Sequence, residues 1–252
     1  MNEPRLKLAN APIVEAVIDI DCDMPPGFDL ATMEKPAQEA FADRYPKFQK
    51  QLIQEHQFET KADAQPKMST RNAINALQFL QENGEQLVQV RTGGFSFNRL
   101  KPYKSLDEYL PEIERTWRLF LGLASPIQIK VVRLRYINRI LLPTVVGDVE
   151  LNDYLKIGPR LPDENKLKLV GFLNQHAVVE TDTGNQATIV MTSQVHENDK
   201  LPIIFDNCVA NAGTGVPTDW PWILAKIVSL RDLKNRIFQD SLTEKCLKLF
   251  QQ

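Results

Sequence analysis

The chain has 252 residues, 43% of them hydrophobic and 25% charged, the mixture of an ordinary globular protein. That excludes a disordered tail, a collagen-like chain and a coiled-coil rod. Thirty Lys and Arg against 32 Asp and Glu leave a net charge of −2, so no global basic field draws nucleic acid or an anionic membrane.

From Pro12 to Cys22 the residues alternate, with Val14, Ala16, Ile18, Ile20 and Cys22 on one face and Glu15, Val17, Asp19 and Asp21 on the other. This predicts a strand, ended by Pro25-Pro26-Gly27. Ala37, Phe41, Tyr45, Phe48 and Leu52 recur at helical spacing and predict a helix over Leu30–His56, kinked or split at Pro46. Polar residues from Glu59 to Met68 read as a loop. Ala73–Gln81 and Gln86–Thr92 flank Asn83-Gly84, a hairpin signal because both residues tolerate positive φ. Gly93-Gly94 then permits a bulge before Phe95-Ser96-Phe97.

Ser105 and Glu108 have capping-box spacing for a helix carrying Leu106, Tyr109, Ile113, Trp117 and Phe120, with Gly122 as its stop. Ile127–Leu142 is rich in β-branched residues and reads as a long strand closed by Pro143. A short helix or turn at Leu151–Ile157 leads into a Pro-rich link. Lys166–Glu180 and Asn185–His196 form a second hairpin, with a register that sets His176 opposite Val190. Pro202–Ala210 reads as a strand, Asn211–Asp219 as a loop and Trp222–Phe238 as a helix. Ser241 and Glu244 suggest a capping box for a terminal helix. The order β-α-β-β-α-β-(α)-β-β-β-α predicts an α+β fold, a mostly antiparallel sheet against two or three helices. One domain over 1–252 is expected, with the stretch 143–162 as the place for any subdivision. The sequence itself shows no repeat.

No run of about 18 apolar residues appears, so no membrane span is expected. Met1-Asn2-Glu3-Pro4-Arg5 lacks a signal-peptide core. The three cysteines, Cys22, Cys208 and Cys246, are far apart, which fits a reducing cytoplasm. They read as small buried hydrophobes. His56, His176 and His196 show no metal-ligand spacing, so no metal is expected. There is no nucleophile elbow and no Walker loop, and Gly213-Thr214-Gly215 lacks the rest of a dinucleotide fingerprint, so no cofactor is expected.

Two patterns stand out. One is the acidic face of the first strand, Glu15, Asp19 and Asp21. The other is Lys130-Val131-Val132-Arg133-Leu134-Arg135-Tyr136-Ile137-Asn138-Arg139. Period two places Ile127, Ile129, Val131, Arg133, Arg135, Ile137 and Arg139 on one face, with Lys130, Leu134, Tyr136 and Asn138 on the other. The plain reading is cross-strand pairing, Glu15 with Arg133 or Arg135. The sharper one is a sheet face that holds an anion, joined by Arg91, Arg99 and Arg139. Phe95 to Lys104 interleaves aromatics with cations, as single-strand stacking platforms do. The plain reading there is a bent strand whose phenylalanines anchor the core. Trp220 and Trp222, flanking Pro221, together with Phe250, offer an aromatic docking patch or core packing of the last helix.

The chain resembles a sporadically distributed bacterial family of about this length that has no assigned activity. The resemblance rests on Ala11-Pro12-Ile13-Val14-Glu15-Ala16, Val88-Gln89-Val90, Phe97-Asn98-Arg99, Pro102-Tyr103, Arg133–Arg139 and the stretch from Leu233 to Thr243. It implies a bacterial cytoplasmic protein and carries no catalytic residue over. Sporadic occurrence would fit a defence or toxin–antitoxin setting.

The reading that follows is a non-enzymatic binding or regulatory module with an unidentified protein partner, a homodimer remaining open. The alternative is a small-ligand protein or enzyme in which Glu15, Arg133, Arg135, Tyr136 and Asn138 line a cavity. Nucleic-acid binding ranks below both.

Overall fold

The computed structural model describes residues 8–59, 67–144, 149–163 and 166–251; side chains at 55–59 and 67–71 fall outside that description, as do His56's contacts and most of the expected 59–68 loop. The elements are β1 (Ile13–Asp23), α1 (Leu30–Phe41), β2 (Lys47–Glu59), β3 (Lys67–Leu80), β4 (Gln86–Arg91), β5 (Gly94–Leu100), α2 (Leu106–Ala124) and β6 (Gln128–Pro143). They continue with a 3-10 turn (Leu151–Asp153), β7 (Leu173–Val179), β8 (Gln186–Ser193), β9 (Lys200–Gly215), α3 (Trp220–Ser241) and α4 (Glu244–Lys248). The nine strands form one antiparallel sheet in the order β2-β3-β4-β5-β1-β6-β9-β8-β7. The expected α+β class with an antiparallel sheet is what the chain adopts.

Alternation divides each strand between two faces. Ala16, Ile18, Ile20 and Cys22 of β1 meet Phe95 and Phe97 of β5 and Val132 and Leu134 of β6 in a core roofed by α1, α2 and α3. Trp117 and Phe120 on α2 are buried and stack on one another, Trp117 meeting Phe95 edge-on and Phe120 lying tilted against it. Each such ring contributes on the order of 1.5–3 kcal/mol of burial. A second cluster joins Ile140, Leu142, Met191, Ile203 and Phe205 to Phe238, Leu242, Cys246 and Phe250. The opposite face of the sheet has no helix over it among the described residues.

The predicted helix over Leu30–His56 ends at Phe41, and the chain after Pro46 is a strand. Proline cannot donate to the i−4 carbonyl and disfavours α conformation in the residue before it. Phe41, Tyr45 and Phe48 still reach one core, from a helix, a turn and a strand, whereas Leu52 lies past a bulge and is 61% exposed. In β6 a bulge between Ile129 and Val131 moves Ile129 to the covered face, so the strict alternation expected from Ile127 holds only from Val131 onward. The second hairpin is slipped by one residue from its expected register, pairing His176 with Ile189. β9 runs on to Gly215 through residues expected to be a loop. Thr243, not Ser241, caps the last helix, accepting from the Cys246 amide at 3.2 Å. Ser105 does cap α2.

Topology discloses a repeat that residue identity hides. From the sheet centre outward, the first half runs β1, β5, β4, β3 and the second runs β6, β9, β8, β7. β1 and β6 are antiparallel neighbours. α2 follows β5 as α3 follows β9, and both pack on the same face. The halves are therefore related by a pseudo-twofold between β1 and β6. In the first half β2 pairs with the outer side of β3 and α1 packs over β3 beside α2, where the second half has the 3-10 turn between β6 and β7; α4 is an addition to the second half. Among the described residues the second half has no strand outside β7.

Gly94 sits where β5 turns back against β1. Its φ is +147°, and a Cβ there would lie 2.1 Å from the Ile20 carbonyl oxygen, whereas one on Gly93 meets nothing within 4 Å. Gly94→Ala should cost about 2–4 kcal/mol and Gly93→Ala less than about 1 kcal/mol, measured by urea denaturation. Equal costs would contradict this strand geometry.

Candidate functional site

The uncovered sheet face carries a continuous line of side-chain amides. Gln49 donates to Gln78 at 2.7 Å, Gln78 to Gln89 at 2.9 Å, Gln89 to Asn98 at 3.0 Å, and Asn98 to Glu15 at 2.7 Å, across five strands. The anticipated cross-strand charge pairing is present on this face, with different partners. Glu15 accepts from Asn98, Arg133 and Arg91 both donate to Asp21, and Arg135 grips Asp206 with Nε at 3.0 Å and Nη2 at 2.6 Å. Arg139 reaches Glu197 at 2.6 Å. Burial alone would raise the Asp21 pKa, but hydrogen bonds from Arg133 and Arg91 outweigh it and hold the carboxyl below its usual range.

The residues grouped as one candidate cavity separate onto two faces. Glu15, Arg133, Arg135 and Arg139 lie on the uncovered face, opposite the layer of helices. Tyr136 and Asn138 are buried on the covered face. Arg99 also points to the covered side, pairing with Glu85 at 2.7 Å and lying 5.1 Å over the Tyr109 ring. Phe95 and Phe97 are core, as the plain reading of that segment had it. Trp220 and Trp222 pack against the main core, the Trp222 ring lying over Gly215, and Phe250 is buried. Burial pushes the thiols of Cys22 and Cys246 up to about 12 and raises Cys208.

Tyr136 and Asn138 open into a cavity of about 450 Å³. Pro12 and Ile13 wall it at the start of β1, Tyr103 and Ser105 at the entry to α2, and Arg231 and Lys234 on α3. The Tyr103 and Tyr136 hydroxyls are 2.8 Å apart. The Lys234 Nζ is 3.9 Å from the Tyr136 ring centre. Four of the sequence stretches singled out above thus meet in one place. Sequence reasoning did not single out Arg231 or Lys234. The available signal was their position four residues after Ile227 and Leu230, on the apolar side of α3.

A second hollow, of about 550 Å³, lies over β7 and β8 beside α3; Val178, Ala187, Ile189, Leu233 and Ile237 line it together with His176, Asp240 and the paired Arg236 and Glu180. It holds the place over β7 that α1 takes over β3. The edge it borders is chemically bare. β7 reads Leu-Asn-Gln-His-Ala-Val-Val, without charge or proline, and Leu173, Val178 and Val179 are exposed. The other edge, β2, carries Lys47, Lys50 and a bulge, the usual protections. The Glu180 amide donates to Asn185 and the Ser193 amide to Phe172. In an antiparallel ladder this fixes the phase, so the amides of Gln175, Ala177 and Val179 point away from the sheet.

Among the described residues, no group of three or more His, Cys, Asp or Glu is placed to hold a metal ion, and no helix is long and apolar enough to cross a membrane. Compared with known proteins, the chain matches no family model, and no curated protein matches it.

Burial and the nearby Arg231 pull the Lys234 pKa from 10.5 down to about 7. Between those values the unfolded chain holds more protons than the folded one, so Lys234 makes stability rise with pH through that window. Lys234→Met removes this cost. Its melting temperature should exceed the parent's by about 2 °C or more near pH 6.5, and the gain should vanish near pH 10.5. A gain equal at both pH values would contradict an amine whose charge is desolvated in the folded chain.

Proposed function

We propose that the chain is a non-enzymatic binding module of a bacterial cytoplasm that takes an extended segment of a partner protein along β7. The observation that carries this is the bare edge beside a partly apolar hollow, where the described residues of the second half lack the strand and helix that the first half supplies for itself. In the first half, β2 adds to β3 and α1 covers it. A partner strand on β7 would complete the same arrangement: its main chain would pair with the outward amides, and its inward side chains would enter the hollow. The uncovered sheet face is a weaker candidate, because its cations are already matched by carboxylates or amides within the chain.

A photo-crosslinking amino acid at Ala177, expressed in the native cell, should yield one discrete protein adduct. The same amino acid at Gln51 on the opposite edge should not. Ala177→Pro removes an outward amide without breaking a β7–β8 bond, so it should leave the melting temperature within about 2 °C of the parent's and eliminate the complex. An adduct with a second copy of the chain would assign the edge to a homodimer. Similar adducts from both positions, or a complex that survives Ala177→Pro, would count against strand addition.

A further inference from the structure

The 450 Å³ cavity between β1, β6, α3 and the start of α2 has no part in strand addition. Its charge is unbalanced. Arg231 is only 8% exposed; its Nη1 pairs with Asp107 at 2.6 Å, and its buried Nε lies 4.0 Å from the Asp232 carboxylate without a hydrogen-bond acceptor among the described residues. Lys234, one helical turn further along α3, has no carboxylate within ion-pair reach among the described residues, and its only close partner is the face of Tyr136. Of the two cations on this wall, Arg231 is matched by carboxylates and Lys234 is the one left without one among the described residues. The other cation at the mouth, Lys104, is matched by Glu108 at 3.0 Å.

A buried cation without a counter-ion is costly, and a fold with that arrangement gains whenever an anion enters. The remaining walls limit what kind of anion fits. Leu8, Pro12, Ile13, Leu106 and Phe238 are apolar, and the two tyrosine rings add flat surfaces. Tyr103 and Tyr136 hydrogen-bond one another, and Asn138 donates to the Phe205 carbonyl at 3.0 Å, so their polar ends are largely engaged within the protein. The volume falls in the range of small-molecule sites.

We infer that this cavity binds a small organic acid, its carboxylate held by Lys234 beside the Arg231 guanidinium and its apolar body lying against Tyr136, Ile13 and Phe238. A guanidinium edge and an ammonium together suit the two oxygens of a carboxylate. An inorganic oxyanion would satisfy the charge but leave the apolar walls without contacts. A neutral analogue of the same shape would do the reverse. The site stands apart from β7, so it does not depend on the strand-addition reading.

The test is titration of the purified full-length chain with benzoate, phenylacetate and hexanoate, followed by calorimetry and by NMR of the Tyr136 and Asn138 signals. Benzamide and inorganic phosphate serve as comparisons. At least one of the three acids should bind and shift those signals, about tenfold more tightly than benzamide or phosphate. Lys234→Met should weaken that binding about tenfold, and Lys234→Arg should restore most of it. The Met variant is expected to be more stable than the parent, so lost binding cannot be ascribed to unfolding. Three results overturn the proposal: no binding by any of the acids up to millimolar concentration, phosphate binding as tightly as the best acid, or acid binding unchanged in Lys234→Met.

Discussion

Along the middle of the sheet, β1 and β6 lie antiparallel from Ile13 opposite Asn138 to Asp23 opposite Gln128. The two halves of the chain are joined through this pair, which lies on the pseudo-twofold. On the covered face it brings Ile18 beside Leu134 and Ile20 beside Val132, all buried. On the uncovered face it brings Asp19 beside Arg133, and the Arg133–Asp21 contact ties the strands diagonally. A slip of β6 by one residue would bury its arginines under the helices and expose Val132 and Leu134. The register of this pair therefore fixes which face is core and where every side chain of β6 points.

That phase also explains why one short stretch serves two environments. Arg133, Arg135 and Arg139 face outward, where Asp21, Asp206 and Glu197 neutralise them. Tyr136 and Asn138 face inward and form part of a cavity wall. The same division separates the two binding surfaces argued for here. The cavity belongs to the inner layer near the pseudo-twofold, and the bare edge lies at the far end of the sheet on β7. Each occurs where the described residues leave a requirement unmet: counter-charge for Lys234, and a strand neighbour for β7.

Much of this architecture was legible in the sequence. The alternation in β1, the Asn83-Gly84 turn and the Ser105 cap each depend on neighbouring residues, and each located its element. Tertiary context decided the rest. Phe41, Tyr45 and Phe48 have helical spacing because three different elements deliver them to one core. The slipped register at His176 follows from how the turn at 180–185 closes, which composition does not specify. The repeat is invisible in residue identity because it is conserved only as an order of strands. Of the proposed site residues, Tyr136 and Asn138 were legible because they sit in an unusual strand. Arg231 and Lys234 were not singled out, because a cation in a long amphipathic helix ordinarily reads as solvated surface.

Among the described residues, β7 is a strand with an open outer side. Hydrogen exchange of the free chain, read residue by residue by NMR, addresses it directly. The amides of His176 and Val178 bond to β8 and should be protected, while those of Gln175, Ala177 and Val179 should exchange near the rate of an unstructured chain. An alternating pattern along β7, against uniform protection in β1 and β6, is the predicted result. Uniform protection of β7 as well would mean that its outer side is already covered, and would contradict the account.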